Sequence, residues 1–155
     1  MNIRNATRDD TFHIIELAYY NAIETPIDGY KVDHTVWIAH IMKWLLQSEI
    51  EDTLFKVALV DDKIVGFLIG VPTSWHYSDD VYLELKEVIV DESLPKITKA
   101  KLVLRFGKIA EEIAQEAGLK GVSAFSIRDN SESYSNFFCK KLGWTKAAGA
   151  KKVFK

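Results

Sequence analysis

The chain has 155 residues, 48% of them hydrophobic and 27% charged, with a formal net charge of −2. That balance excludes intrinsic disorder and supplies enough apolar material for one packed core. A lone cysteine, Cys139, excludes a disulfide scaffold and a cysteine-based zinc site, and the near-neutral charge points neither to nucleic acid nor to a membrane surface.

Ile3 to Ala6 reads as a short strand, and Arg8-Asp9-Asp10 opens a helix whose first turn suits acidic residues. Phe12, Ile15, Tyr19, Ala22 and Ile23 recur at helical spacing to about Glu24. Thr25 to Tyr30, with Pro26 and Gly29, breaks that helix, and a second runs from Asp33 to Ser48 with Trp37, Ile41, Met42 and Leu45 on one face. Leu54–Val60 and Ile64–Val71 are strands joined as a hairpin through Asp61-Asp62-Lys63. Thr73 to Asp80 is a polar and aromatic loop. Val81 to Val90 alternates as a strand until it slips around Glu87-Val88, where a bulge or bend is expected. Asp91 to Thr98 reads as a loop.

Leu102, Phe106, Ile109, Ala110, Ile113 and Ala117 form a helical stripe stopped by Gly118. Gly121–Ile127 is a strand, Ser131–Leu142 a helix ended by Gly143, and Val153-Phe154 a last short strand. The order is β-α-α-β-β-β-α-β-α-β, an α/β chain read as one domain over residues 1–155. No apolar run is long enough to span a bilayer: Ile64 to Val71 already contains Gly66 and Gly70. Met1-Asn2-Ile3-Arg4 opens no secretory apolar region, so a cytoplasmic location is expected.

The most informative chemistry is a helix charged against its own dipole. Lys96, Lys99, Lys101 and Arg105 crowd its start, while Glu111, Glu112 and Glu116 follow in its later turns. A helix N-terminus is already electropositive, so cations there are unfavourable unless they serve an anion, and phosphate is the natural one. The competing reading is a solvated basic face supported by a Lys108–Glu112 pair. A strand, a loop and then this helix put the anion at the carboxyl end of a strand, where α/β sheets bind ligands.

This arrangement resembles the GCN5-related N-acetyltransferase (GNAT) superfamily over nearly the whole chain. The two early helices, the hairpin ending in Ile64-Val65-Gly66-Phe67-Leu68-Ile69-Gly70 and the strand Glu87-Val88-Ile89-Val90 fall in the family's order. Phe137-Phe138-Cys139-Lys140-Lys141-Leu142-Gly143-Trp144 is similar to its "FYEKLGF" signature. The resemblance implies a mixed sheet and acetyl-CoA as co-substrate, with the thioester carbonyl on backbone N–H groups near Val88, Ile89 and Val90. It further implies a diphosphate loop patterned Q/R-x-x-G-x-G/A at Thr98-Lys99-Ala100-Lys101-Leu102-Val103, flanked by Lys96. Neither glycine is present there, and a Cβ at Lys101 obstructs the close approach that glycine permits.

In catalysis, the resemblance puts Cys139 where many relatives carry a tyrosine that protonates the leaving thiolate; Tyr134, one turn earlier, is the other donor candidate, and Cys139 also reads as a small buried hydrophobe. Glu87, at the expected bulge, is the first candidate for the base that deprotonates the amine, and His76 in Ser74-Trp75-His76-Tyr77 the second. Glu84 lies on the polar side of the same strand, where strand glutamates commonly form ion pairs. Acceptor contacts are expected from Asp28, Tyr30 and Asp33 and from Trp75 to Tyr77, acidic and aromatic groups that suit a cationic amine of a small molecule or protein. No metal site is expected, because the histidines lack ligand spacing. The alternatives are a GNAT-fold binding or assembly module, of phage or mobile-element origin, that has lost turnover, and a dimeric domain pairing through aromatics such as Trp44, Trp75 and Tyr77. A homodimer fits either reading.

Overall fold

The computed structural model describes residues 1–24, 33–50, 53–74, 77–124 and 131–146. Five strands make one sheet in the order β1 (Asn2–Asn5), β2 (Leu54–Val60), β3 (Lys63–Ser74), β4 (Val81–Val90), β5 (Val122–Ala124). Neighbours are antiparallel except β4 and β5, which are parallel. A 3₁₀ turn, Arg8–Asp10, leads into α1 (Thr11–Glu24); α2 (His34–Ile50), α3 (Lys96–Glu116) and α4 (Ser131–Leu142) complete the chain order. The expected mixed α/β arrangement is therefore present. The last expected strand, Val153-Phe154, and residues 125–127 of the expected fifth strand lie outside the described residues.

The sheet separates two apolar clusters, because strand side chains alternate between its faces. On one face α1 and α2 contribute Ile14, Ala18, Ile41 and Leu45, which pack on Phe55, Val57, Phe67, Ile69 and Ile89. On the other, Leu102, Val103, Phe106 and Ala110 of α3 and Phe138 of α4 pack on Val65, Leu68, Leu83, Leu85 and Val90. Gly66 of β3 permits the second contact: a Cβ there would lie 2.9 Å from the Ile89 carbonyl oxygen and 3.0 Å from Leu102 Cδ2. Gly107 does the same between α3 and α4, where a Cβ would come within 3.0 Å of the Phe138 ring.

Local chemistry fixes the ends of the elements. The Asp33 side chain accepts the Val36 N–H at 3.2 Å and so caps α2. Gly118, at φ +69°, closes α3, with the Leu119 N–H reaching the Ala114 carbonyl at 2.8 Å and Leu119 packed on the core. Arg4 grips Asp10 with two bonds of 2.7 and 2.9 Å, and the Thr7 N–H donates to the same carboxylate at 2.8 Å. The Arg4 guanidinium, against an opposing effect of burial, holds the Asp10 carboxyl below the usual carboxylate range. Val60 pairs with Lys63, so the hairpin turns through two residues, Asp61 and Asp62, at φ +49° and +59°. Lys63, expected in that turn, is the first residue of β3.

Two predictions follow from these contacts. Because the Asp10 carboxyl is depressed in the fold, its stabilisation is full above the unfolded carboxylate pKa and is lost as pH falls through the folded one. Asp10→Asn should cost about 1 to 2 kcal/mol at neutral pH, and denaturant titrations should show a flatter acid limb than in the parent chain. Asp62→Gly removes a Cβ from a left-handed position and should raise unfolding stability by about 0.5 to 1 kcal/mol, read as a higher urea midpoint at unchanged slope.

Candidate active site

The site is built where β4 leaves its neighbours. Ile69 faces Glu87 and Gly70 faces Leu85, so Lys86 is the extra residue of a bulge in β4, one position before the slip read from the sequence. Pairing with β5 runs over Leu83–Leu85 and Val122–Ala124 and stops on β4 at that bulge among the described residues. Beyond it, the Asp91 N–H points to β3, bonding the Val65 carbonyl at 2.8 Å. Antiparallel alternation then directs the main-chain groups of Val88 and Val90 away from β3, toward the side where β5 would continue. Their side chains face α3, whereas Ile89 faces α1 and α2. Glu87 shares the parity of Ile89; it is half-buried and projects from the face that α1 and α2 cover. Glu84 forms an ion pair with Lys86 on that same face, Nζ to Oε2 at 2.8 Å, as expected for a strand glutamate.

Loop 91–95, which joins β4 to α3, is tied at both ends. Asp91 Oδ1 accepts the Ser93 N–H at 2.9 Å and the Ser93 hydroxyl at 2.6 Å, and Oδ2 lies 3.6 Å from Lys63 Nζ. Burial pushes the Asp91 carboxyl up, but the Ser93 bonds and the Lys63 charge outweigh it and hold the carboxyl below its ordinary value. Lys99 Nζ binds Glu92 Oε2 at 2.7 Å and the Glu92 carbonyl at 3.3 Å.

The stretch expected to form a diphosphate loop is helical throughout. Helix α3 begins at Lys96 after Pro95, and its first internal bond runs from the Lys99 N–H to the Pro95 carbonyl at 3.0 Å. Lacking both glycines, Thr98 to Val103 holds four strong helix formers in a row, Lys99, Ala100, Lys101 and Leu102, and it winds on. Main-chain N–H groups of Ala100, Lys101, Leu102 and Val103 are thereby committed inside α3, and Leu102 and Val103 are core residues. No side chain caps α3, so the amides that remain open are those of Lys96, Ile97 and Thr98. Lys101 and Arg105 project from the face opposite the core, while Lys99 is neutralised by Glu92. The cation cluster of the sequence is therefore split: only Lys96 accompanies the open amides as an exposed charge. The sequence carried a signal for the earlier start, since proline is favoured at a helix N-terminus.

Cys139 is half-buried on α4 beside Phe138, whose ring meets Gly107, eleven positions into α3. After Gly143, at φ +71°, Trp144 folds back to stack on Phe138 with centroids 4.7 Å apart, and its indole N–H donates to Glu111. The segment similar to "FYEKLGF" thus fastens α4 to α3. The Tyr134 side chain and His76 lie outside the described residues, as do Asp28, Tyr30 and Trp75. Asp33 caps α2, Tyr77 is exposed, and Trp44 is half-buried against the α1–α2 cluster rather than open. Among the described residues no group of histidine, cysteine, aspartate or glutamate is arranged to hold a metal, and no helix is long and apolar enough to cross a membrane.

No protein-family profile and no curated protein sequence matches the chain. Solved structures do. A possible acetyltransferase from Clostridium difficile 630 superposes with a TM-score of 0.73 at 18% identity, covering 99% of this chain and 96% of that one. The aminoglycoside 6′-N-acetyltransferase AAC(6′)-Ig from Acinetobacter haemolyticus gives 0.69 at 14% identity over 100% and 98%. AAC(6′)-Iy, solved with the bisubstrate analogue CoA-S-monomethyl-acetylneamine, gives 0.69 at 15% identity over 99% and 97%.

Proposed function

We propose that this chain, whose described residues have the GNAT fold, is a cytoplasmic N-acetyltransferase that moves an acetyl group from acetyl-CoA directly to an amine. One observation carries the reading. Outward main-chain groups of Val88 and Val90 lead, through a tied loop, into the open amides of Lys96, Ile97 and Thr98. The amides suit the coenzyme diphosphate, with the Lys96 ammonium beside them. An N–H from the β4 pair suits the thioester carbonyl, where it would stabilise the oxyanion formed on attack.

In the proposed step the amine nitrogen bonds to the acetyl carbon and the carbon–sulfur bond breaks, so no acyl-enzyme forms. Glu87, on the acceptor face, takes the proton that the ammonium must lose. Attack leaves a second proton on the nitrogen; the departing thiolate takes up a proton, with Cys139 and Tyr134 as candidate donors, and the second proton lost from the nitrogen restores the donor. Two of these similar structures are aminoglycoside acetyltransferases, and amines of that cationic class fit a face that presents Glu87 beside the Glu84–Lys86 ion pair.

A second reading has its own observation. The segment that would form a glycine cradle is helix, and Lys99 is spent on Glu92. A domain that binds coenzyme, or another anion, without turnover accounts for both.

Two measurements test the site. Ile97 is 72% exposed, so Ile97→Glu disturbs no packing; a carboxylate there favours the helix dipole and opposes a diphosphate. The variant should be slightly more stable, by a few tenths of a kcal/mol, yet bind CoA about tenfold more weakly by calorimetry; unchanged CoA affinity would remove the diphosphate from this helix start. Glu87→Gln should lower the acetylation rate by roughly two orders of magnitude at neutral pH, measured by thiol release across an amine panel. CoA binding with no product from any amine favours the second reading.

A further inference from the structure

Helices α1 and α2 run antiparallel, since Arg8 meets Glu49 at 2.7 Å at one end and the Tyr19 and His34 rings meet at 3.8 Å at the other. Both turn one side to the sheet, through Ile14 and Ala18 and through Ile41 and Leu45. Their opposite sides are apolar as well. On α1, Phe12, Glu16 and Tyr20 recur every fourth residue on the side away from Ile14 and Ala18. On α2, Val36, Ala39, Lys43, Leu46 and Ile50 recur in alternating steps of three and four away from Ile41 and Leu45, the spacing of a coiled-coil seam. All of these residues are exposed, Phe12 at 71% and Ile50 at 83%.

Of the nine exposed large hydrophobics among the described residues, six lie on these two helices. The stripes carry one charge each, Glu16 and Lys43, of opposite sign. Neither makes an ion pair within the chain among the described residues. An outward seam that is apolar with one charge in its middle is poorly suited to water and well suited to a helical partner.

We propose that this face is the interface of a homodimer. A two-fold axis parallel to the helices lays α1 of one copy over α2 of the other. Tyr20 then meets Val36 of the second copy, and Glu16 comes within a turn of its Lys43. The axis repeats both contacts, so each copy's lone charges are matched by the other's. Self-complementarity selects a second copy as the occupant: any other partner would need a matching apolar seam with its own opposed charges. Helices of 14 and 17 residues span about 21 and 25 Å. With axes about 10 Å apart, they offer an area at the low end of stable interfaces, so association in the micromolar range is expected.

Sedimentation velocity over a concentration series up to roughly 200 µM tests this on the full chain. The parent should pass from monomer to dimer. Lys43→Glu and Glu16→Lys should each raise the dissociation constant about tenfold or more, because each sets like charges opposite one another. The double exchange Glu16→Lys/Lys43→Glu should restore dimerisation, and circular dichroism and melting should show all variants folded. A parent that stays monomeric throughout, single variants that dimerise like the parent, or a folded double exchange that fails to recover would each overturn the proposal.

Discussion

The approach of α3 to the sheet over Gly66 is the contact from which the rest takes its position. With no Cβ in the way, Leu102 and Phe106 press onto β3 close to the Ile89 carbonyl, and α3 lies flat across β3 and β4. That height determines where the first turn of α3 stands relative to the free side of β4. It also bears on how α4 can dock, because Phe138 and Leu142 of α4 lie against Gly107 of the same helix. A bulkier residue at either glycine would lift a whole helix rather than one side chain, since interiors are packed to crystal-like density.

The basic helix start is a compromise between propensity and electrostatics. Alanine, lysine and leucine carry no requirement for a loop, so α3 extends back to Pro95 and spends the amides that a glycine-bearing segment would have kept open. Lysines then face the positive end of the dipole. The structure relieves one of them with Glu92, from the loop just before the helix, lets Lys101 point into solvent, and turns the exposed Arg105 to the Met1 carbonyl at 3.3 Å. What remains for an anion is three amides and Lys96, a smaller donor set than the four cations suggest when read as letters.

Hydrophobic period carried most of the fold. Alternation in Val81–Val90 and the three-and-four spacing in α1, α2 and α3 leave little choice of element, and Gly118 and Gly143 end helices by adopting a conformation that other residues avoid. The bulge was legible to within a residue because its two flanks, Leu85 and Val88, break the alternation. Site residues were less legible. Whether Lys99 is available depends on a partner seven positions back, and a charge pattern names no partners. Likewise the helix start depends on competition between Thr98-Lys99-Ala100 as loop and as helix, which composition alone does not decide when the glycines that would favour the loop are missing.

The two apolar clusters share no side chain and are divided by the sheet alone. Each half of the molecule therefore has its own mechanical reserve: repacking beneath α1 and α2 is felt across the sheet only as far as the strand backbones bend. Pleated strands joined by ladders of hydrogen bonds bend little, so the face that would receive an amine can be remodelled almost independently of the face against which α3 and α4 are moored.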